Sequence, residues 1–358
     1  MPDHDSGSVR MFSLLKIFIK LGYKVSFLPD NLQYHERYTP QMQKLGIECF
    51  YHPYTSSVTD HLQHHGHLYD LVMLSRADVA QANIKAVTEL CPKARVLFDT
   101  VDLHFLREKR EGELNNDKAL LESALVRKQQ ELGIARQCDL TLVVSPVEVE
   151  LFKVEAPEIP LALLSNIHRT EPTEKTFAER RDILFIANFE HPPNIDAMVF
   201  FLDEVFPLIQ AENSDIGLKI VGGHPPRQLK NRAGDKVEIT GFISDIKPLF
   251  NDIRLSIAPL RYGAGVKGKI NSSMAYGVPV VTTTVGAEGM NLVHEQDVLI
   301  ADSPEDFARQ VLRAYSDESL WQKLSAAGIR NIEEHFSFQL AERQLLEILD
   351  RLETQAET

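Results

Sequence analysis

Cysteine is scarce: Cys49, Cys91 and Cys138 are the only three in 358 residues. Being odd in number and widely spaced, they argue against a disulfide framework or a zinc cluster, and a reducing cytoplasm is the expected setting. Long apolar runs are absent too, since none approaches the roughly 20 residues that a spanning helix needs. The opening Met1-Pro2-Asp3-His4-Asp5 has no basic stretch leading into an apolar one, so no secretory signal is read there. Positive charge is in deficit, 38 Lys and Arg against 51 Asp and Glu for a net charge of −13, which disfavours nucleic acid as a partner. No Gly-x-Ser-x-Gly elbow, His-Glu-x-x-His or P-loop occurs, so the commonest hydrolase, zinc-protease and ATPase sites are excluded. Internal repeats and low-complexity tracts are also missing.

What is present is globular: 44% hydrophobic and 25% charged residues, in a chain long enough for two domains. Short β-branched runs at 25–28, 71–75, 95–98 and 140–144 predict one set of strands. A second set is predicted at 183–187, 218–221, 237–240, 255–258 and 280–283. Continuous apolar runs of this length suit strands buried on both faces of a parallel sheet. Helical patterns lie between them at 9–21, 79–90, 116–136, 194–211 and 267–276, and further ones follow at 307–315, 318–335 and 338–352. The alternation predicts an α/β fold with doubly wound parallel sheets in two Rossmann-like domains.

The polar, proline-bearing stretch 167–181 (IHRTEPTEKTFAERR) is the expected break between the halves. This gives an N-terminal domain at 1–170, a C-terminal domain at 171–336, and a last helix at 337–358 expected to cross back to the first domain. No strand precedes the first helix, whereas a Rossmann-like half opens with one. Either a first N-terminal strand is missing, or the segment is part of a longer polypeptide.

The richest stretch is 258–290, APLRYGAGVKGKINSSMAYGVPVVTTTVGAEGM. It reads as a strand end, a glycine-rich loop, a short helix stopped at Gly277 and Pro279, another strand, and a second glycine loop. Gly263, Gly265 and Gly268 let the backbone approach a ligand closely. The following helix would aim free N–H groups at the loop, and Lys267 and Lys269 add two cations, together forming a diphosphate cradle. The plainer alternative is a tight turn with solvated lysines. Gly263-x-Gly265-x-x-Gly268 also fits a dinucleotide fingerprint, but the next strand ends in threonines where that motif needs an acid for the ribose.

This segment resembles the donor half of GT-B retaining glycosyltransferases, family 4 in particular (glycosyl transferases group 1). The order Pro259, Gly263 to Gly265, Lys267, Lys269, Met274-Ala275, Gly277, Pro279-Val280-Val281 and Gly286 to Gly289 carries the likeness. Weaker matches extend it along the chain. Asp5-Ser6-Gly7-Ser8 resembles an N-terminal donor-facing glycine loop, Val221-Gly222-Gly223 a strand end, and Gly241-Phe242 with Asp245 the stretch before the donor helix. Asn166 stands where a Pro-Asn element closes the first half. The resemblance implies transfer of a sugar, with retention and without a metal, from a nucleoside-diphosphate sugar to a glycan, lipid-linked or other acceptor. No cofactor is implied beyond this nucleotide-sugar co-substrate. Implied donor contacts are Gly7, Ser8, Gly263, Gly265, Lys267, Lys269, Ser272, Gly286 and Glu288. Two departures stand out. The family's acid pair is replaced by Ala264 and Ser272, which leaves the ribose to Ser272, Asn271 or backbone groups. The usual basic pair after the first C-terminal strand is replaced by Asn188, Phe189, Glu190 and His191. A degenerate, non-catalytic binding or scaffold module of a larger polysaccharide-assembly protein is therefore the alternative.

On the acceptor side, Asp99-Thr100-Val101-Asp102-Leu103-His104 follows a predicted strand. His104 resembles the family's histidine beside the donor sugar, and Asp102 could take a proton from an acceptor hydroxyl or orient it; these two are the catalytic candidates. The alternative is structural, with Asp99 capping a turn and His104 a loop residue. Arg76, after the 71–75 strand, is an acceptor-contact candidate or an ion-pair partner. Arg107, Lys109 and Arg110 suit an anionic acceptor or peripheral contact with a membrane surface. His61, His64, His65 and His67 are expected in a solvated loop, without a native metal.

Overall fold

The computed structural model describes residues 5–354 of the chain. The predicted apolar runs become strands, and every strand pairing is parallel. The chain divides into two compact units, one holding residues 7–165 and 341–354, the other 166–340 with Ser6.

In the first unit, β1 (Ser26–Phe27) pairs with β2 (Glu48–Cys49), while β3 (Leu71–Ser75), β4 (Arg95–Asp99), β5 (Leu140–Val143) and β6 (Leu161–Leu163) form a sheet in that order. A buried ion pair ties the Ser6–Lys20 helix to this sheet. Arg10 Nη1 lies 2.6 Å from Asp99 Oδ1, both side chains being 1% exposed. Every other arm of the pair is engaged: Arg10 donates to the carbonyls of Leu164 (2.8 Å) and Ser165 (3.1 Å), and Ser75 Oγ donates to Asp99 Oδ2 (3.0 Å). The Phe338–Thr354 helix joins this unit. It buries Ala341, Leu345, Ile348, Leu349 and Leu352, a stripe at helical spacing. Lys20 Nζ meets its Glu342 at 2.6 Å, and its Arg351 donates to the Leu161 carbonyl.

The helix expected at 116–136 is present as Lys118–Ala135, and a helix that the sequence did not reveal, His104–Asn115, precedes it and ends at Asn116 in the left-handed region (φ 53°). Asp117 then caps Lys118–Ala135 by accepting from the N–H groups of Ala119 and Leu120. The histidine-rich stretch is no solvated loop. It forms the Val58–His65 helix, with His61 buried, 2.6 Å from the Tyr69 hydroxyl and stacked on His65. Burial lowers the His61 pKa, so its neutral ring packs as a core group.

In the second unit, β7 (Arg181–Ile186), β8 (Leu218–Val221), β9 (Val237–Gly241), β10 (Ile253–Ala258), β11 (Val280–Thr282) and β12 (Leu299–Ile300) lie in the order β12-β11-β10-β7-β8-β9. The chain winds outward from β7 through β8 to β9, then returns to place β10 on the other side of β7. That reversal opens a crevice at the carboxyl ends of β7 and β10, where open α/β sheets bind ligands. Phe185, Phe201 and Phe307 fill the core beside it. The polar stretch before β7 is held by Arg180, which is 2% exposed and donates to the carbonyls of Lys175, Phe250 and Ile253, under Trp321.

Replacing one partner of the Arg10–Asp99 pair strands the other as a buried charge. Asp99→Ala should therefore cost about 3–5 kcal/mol of stability in urea unfolding. Adding Arg10→Met to that variant should recover most of the loss, whereas additive losses would show that the pair is not the anchor.

Candidate functional site

The second unit's site grows from the end of β10. The chain leaves at Pro259 and passes Gly263 (φ 156°) and Gly265 (φ 66°), both left-handed conformations that glycine adopts without strain. It then enters the Gly268–Ala275 helix, whose N-cap Lys267 makes no side-chain cap bond, while Ile270 N donates back to the Lys267 carbonyl at 2.8 Å. Gly268 has no room for a side chain: an added Cβ would stand 1.9 Å from Ser6 Oγ.

Charge at this crevice is unevenly matched. Arg261 in the loop is paired with Asp196 of the Pro192–Phe200 helix, which follows β7. Lys267 is buried, and its Nζ donates to the Gly265 carbonyl at 2.7 Å. Lys269 is half-buried. It donates to Asn194 Oδ1 at the start of the Pro192–Phe200 helix, and its Nζ lies 5.0 Å from the centre of the Phe185 ring. The Lys269–Asn194 bond therefore links the helices that follow the two strands of the crevice. Desolvation first, and the neighbouring Lys267 second, lower Lys269 to about 7. Among the described residues, no carboxylate lies within ion-pair distance of Lys269 Nζ.

The surrounding residues fix this edge. Thr283 Oγ1 donates to the Leu260 carbonyl (2.5 Å) and accepts from Gly286 N (3.0 Å). A Cβ on Gly286 would lie 2.0 Å from Thr282 Oγ1. Gly286 and Glu288 were expected in a loop, but Gly286 lies in the short Thr284–Ala287 helix and Glu288 is its C-cap. The threonines after β11 are spent on neighbouring backbone and on Asp302, and none offers an acid for a ribose. Ser272 lies half-buried on the second turn of the Gly268–Ala275 helix. Asn271 beside it is wholly buried, and its Nδ2 has no hydrogen-bond partner. Asn166 Nδ2 donates to the Val266 carbonyl at 3.4 Å, so it supports the glycine loop from within this unit.

Gly7 and Ser8 do not form a loop; they lie in the first turn of the Ser6–Lys20 helix. The other candidates meet at the carboxyl edge of the first unit's sheet. Arg76 is exposed, caps the Ala77–Leu90 helix at φ 76°, and donates its backbone N–H to the Asp99 carbonyl. Val101 has φ 65°, a strained conformation for a β-branched residue, directly before Asp102. His104 opens a helix, unlike the loop residue of the structural alternative, and its Nε2 lies 3.3 Å from Asp102 Oδ1. Asp102 Oδ2 is 2.6 Å from Arg107 Nη1. With both oxygens engaged, Asp102 is better placed to orient His104 than to accept an acceptor's proton. The Asp102 bond raises the His104 pKa, against burial. Arg107 is likewise held by Asp102, and Lys109 pairs with Glu113 (3.7 Å), so neither projects as a free basic group. Sequence reasoning missed Glu131, a buried carboxyl whose Oε1 accepts from Phe105 N at 3.3 Å.

Among the described residues, no helix is long and apolar enough to cross a membrane. Residues 180–317 match the family model described as Glycosyl transferases group 1. An uncharacterized 44.6 kDa protein in the cps region of Klebsiella pneumoniae is 26% identical over 164 residues, 43% of this chain and 42% of that protein. The chain's matches span less than half the length of the curated relatives. Among solved structures, sucrose-phosphate synthase from Thermosynechococcus elongatus is similar with a TM-score of 0.75 at 15% identity, covering 97% of this chain and 94% of that one. HepE from Anabaena in complex with UDP-glucose is similar with a TM-score of 0.73 at 12% identity, covering 97% and 96%. At these identities the likeness speaks for the fold alone, and the fold is that of GT-B glycosyltransferase structures: two Rossmann-like α/β units, the second with its glycine–lysine loop inside the stretch matched by the group 1 model.

Proposed function

We propose that this chain is a retaining, metal-independent glycosyltransferase that works in the cytoplasm and moves a sugar from a nucleoside-diphosphate sugar to a glycan or lipid-linked acceptor. The observation that carries this reading is Lys269, a desolvated ammonium with no carboxylate partner, at a helix N-terminus on the sheet's ligand-binding crevice. A cation so placed is incomplete without an anion, and half-burial keeps it reachable. A diphosphate meets that need, and it also suits the positive end of the helix dipole.

The difficult step in sugar transfer is departure of the nucleoside diphosphate, on which negative charge develops. Lys267, Lys269 and the helix N-terminus act on that charge as fixed positive groups that need no reorganisation. In the first unit, Asp102 orients His104 toward a sugar or acceptor hydroxyl, and Arg76 contributes a contact to the acceptor. The group 1 match over the donor half and the UDP-glucose bound by a structure of the same fold support this assignment. The Ala264 and Ser272 replacements favour a second reading, a module that binds the nucleotide without turnover.

Calorimetric titration with UDP, GDP, dTDP, ADP and NAD tests the cradle. One nucleoside diphosphate should bind selectively, and Lys267→Ala and Lys269→Ala should each weaken it about tenfold to a hundredfold, the range for hydrogen bonds to charged groups. Binding without transfer to any acceptor would support the module reading, and binding of NAD alone would reject both.

Affinity should also depend on pH with a defined sign. The free protein's Lys269 loses its proton near pH 7, and a bound anion would raise that pKa. Affinity should hold below pH 7 and fall by up to about tenfold per pH unit above it, until the pKa of the complex is passed. Lys269→Arg should abolish the fall; a wild-type affinity that is flat through this window would contradict the role of Lys269.

A further inference from the structure

The Asp102–His104 pair leaves unexplained why a buried carboxyl stands beside it. The His104–Asn115 helix begins at Leu103, whose side chain cannot cap, directly after the strained Val101. The missing cap comes from another helix: Glu131, on Lys118–Ala135, accepts from Phe105 N through Oε1. Its second oxygen, Oε2, is enclosed and has no hydrogen-bond partner. A neutral amide would make the same cap bond through its oxygen. A buried carboxyl with an orphaned oxygen therefore calls for an explanation.

The charges around it supply one. Glu131 faces His104 and Asp102 across the helix start and Arg127 on its own helix. Arg107 answers Asp102, and Arg127 answers Asp78 (2.8 Å) and Glu108 (3.3 Å). The imidazole of His104, which Asp102 already faces at 3.3 Å, is the group beside which Glu131 places a second negative charge.

We propose that Glu131 is a positioning residue for His104: its carboxyl caps the helix that His104 opens, and its charge adds to that of Asp102 in holding the imidazole's proton. Burial raises the Glu131 pKa to about 7, the range in which an imidazole titrates, so the two groups exchange charge as a coupled pair. A lost Glu131 charge would leave His104 aimed by Asp102 but less basic. The inference deepens the role proposed for His104, and it can be tested without any sugar donor.

The test is an NMR pH titration of the full chain, following the His104 imidazole and the Glu131 side-chain carboxyl, in wild type and Glu131→Gln. The glutamine keeps an oxygen for Phe105 N and removes only the charge. The His104 midpoint should fall in Glu131→Gln, by less than removal of the Asp102 charge would lower it, a shift that a purely structural cap would not produce. In the wild type, the Glu131 carboxyl should titrate in the neutral range, in step with His104. An unchanged His104 midpoint in folded Glu131→Gln, or a wild-type Glu131 that titrates like an ordinary exposed carboxylate, would overturn the proposal. If Glu131→Gln does not fold, the wild-type carboxyl titration decides alone. Failure of nucleoside diphosphate binding would sink the functional reading and leave this result standing.

Discussion

All strands of each sheet run the same way, and the chemistry of the molecule follows from that direction. Parallel strands need crossover helices, so each sheet is covered and its strands must be apolar on both faces. The same rule collects every strand's carboxyl end on one edge, where the helices that follow present their N-termini. In the second unit, the reversal between β7 and β10 opens that edge into a crevice. The glycine loop follows β10, and the helix bearing Asn194 follows β7. Lys269 and Asn194 lie far apart in sequence and meet because the winding order makes their strands neighbours.

Buried and half-buried cations show how the chain separates structure from function. Arg10 is matched by Asp99 and Arg107 by Asp102, while Arg180 is satisfied by carbonyls. Each of these tightens packing and asks nothing of a ligand. Lys269 breaks the pattern, with an amide oxygen and an aromatic face as its neighbours. A desolvated charge left this way lowers its own pKa, and groups perturbed for that reason concentrate at binding and catalytic sites.

The sheets were legible because doubly buried strands leave continuous apolar runs, and the glycine–lysine loop because it joins unusual residue types in a short span. Strands of two or three residues, such as β2, β6 and β12, leave too little periodicity to read. The boundary near Asn116 was read, but the His104–Asn115 helix before it was not, because that segment is charged and carries little apolar periodicity. Glu131 was invisible for a related reason. It lies among polar residues on a helix that looks solvated, and its burial comes from the antiparallel neighbour His104–Asn115, which sequence spacing does not reveal. His61 was misjudged in the same way, since Phe50 and Tyr69, which enclose it, come from other segments.

The last helix belongs to the first unit, and this bears on how the protein is made. During synthesis the first 165 residues emerge without the stripe of Ala341, Leu345, Ile348, Leu349 and Leu352 that completes their packing. The whole second unit must be translated before that stripe leaves the ribosome, a delay of about ten to thirty-five seconds at typical rates. For that interval the nascent first unit carries an uncovered apolar groove. Packing of the first unit is therefore completed by residues that follow the whole second unit in the chain.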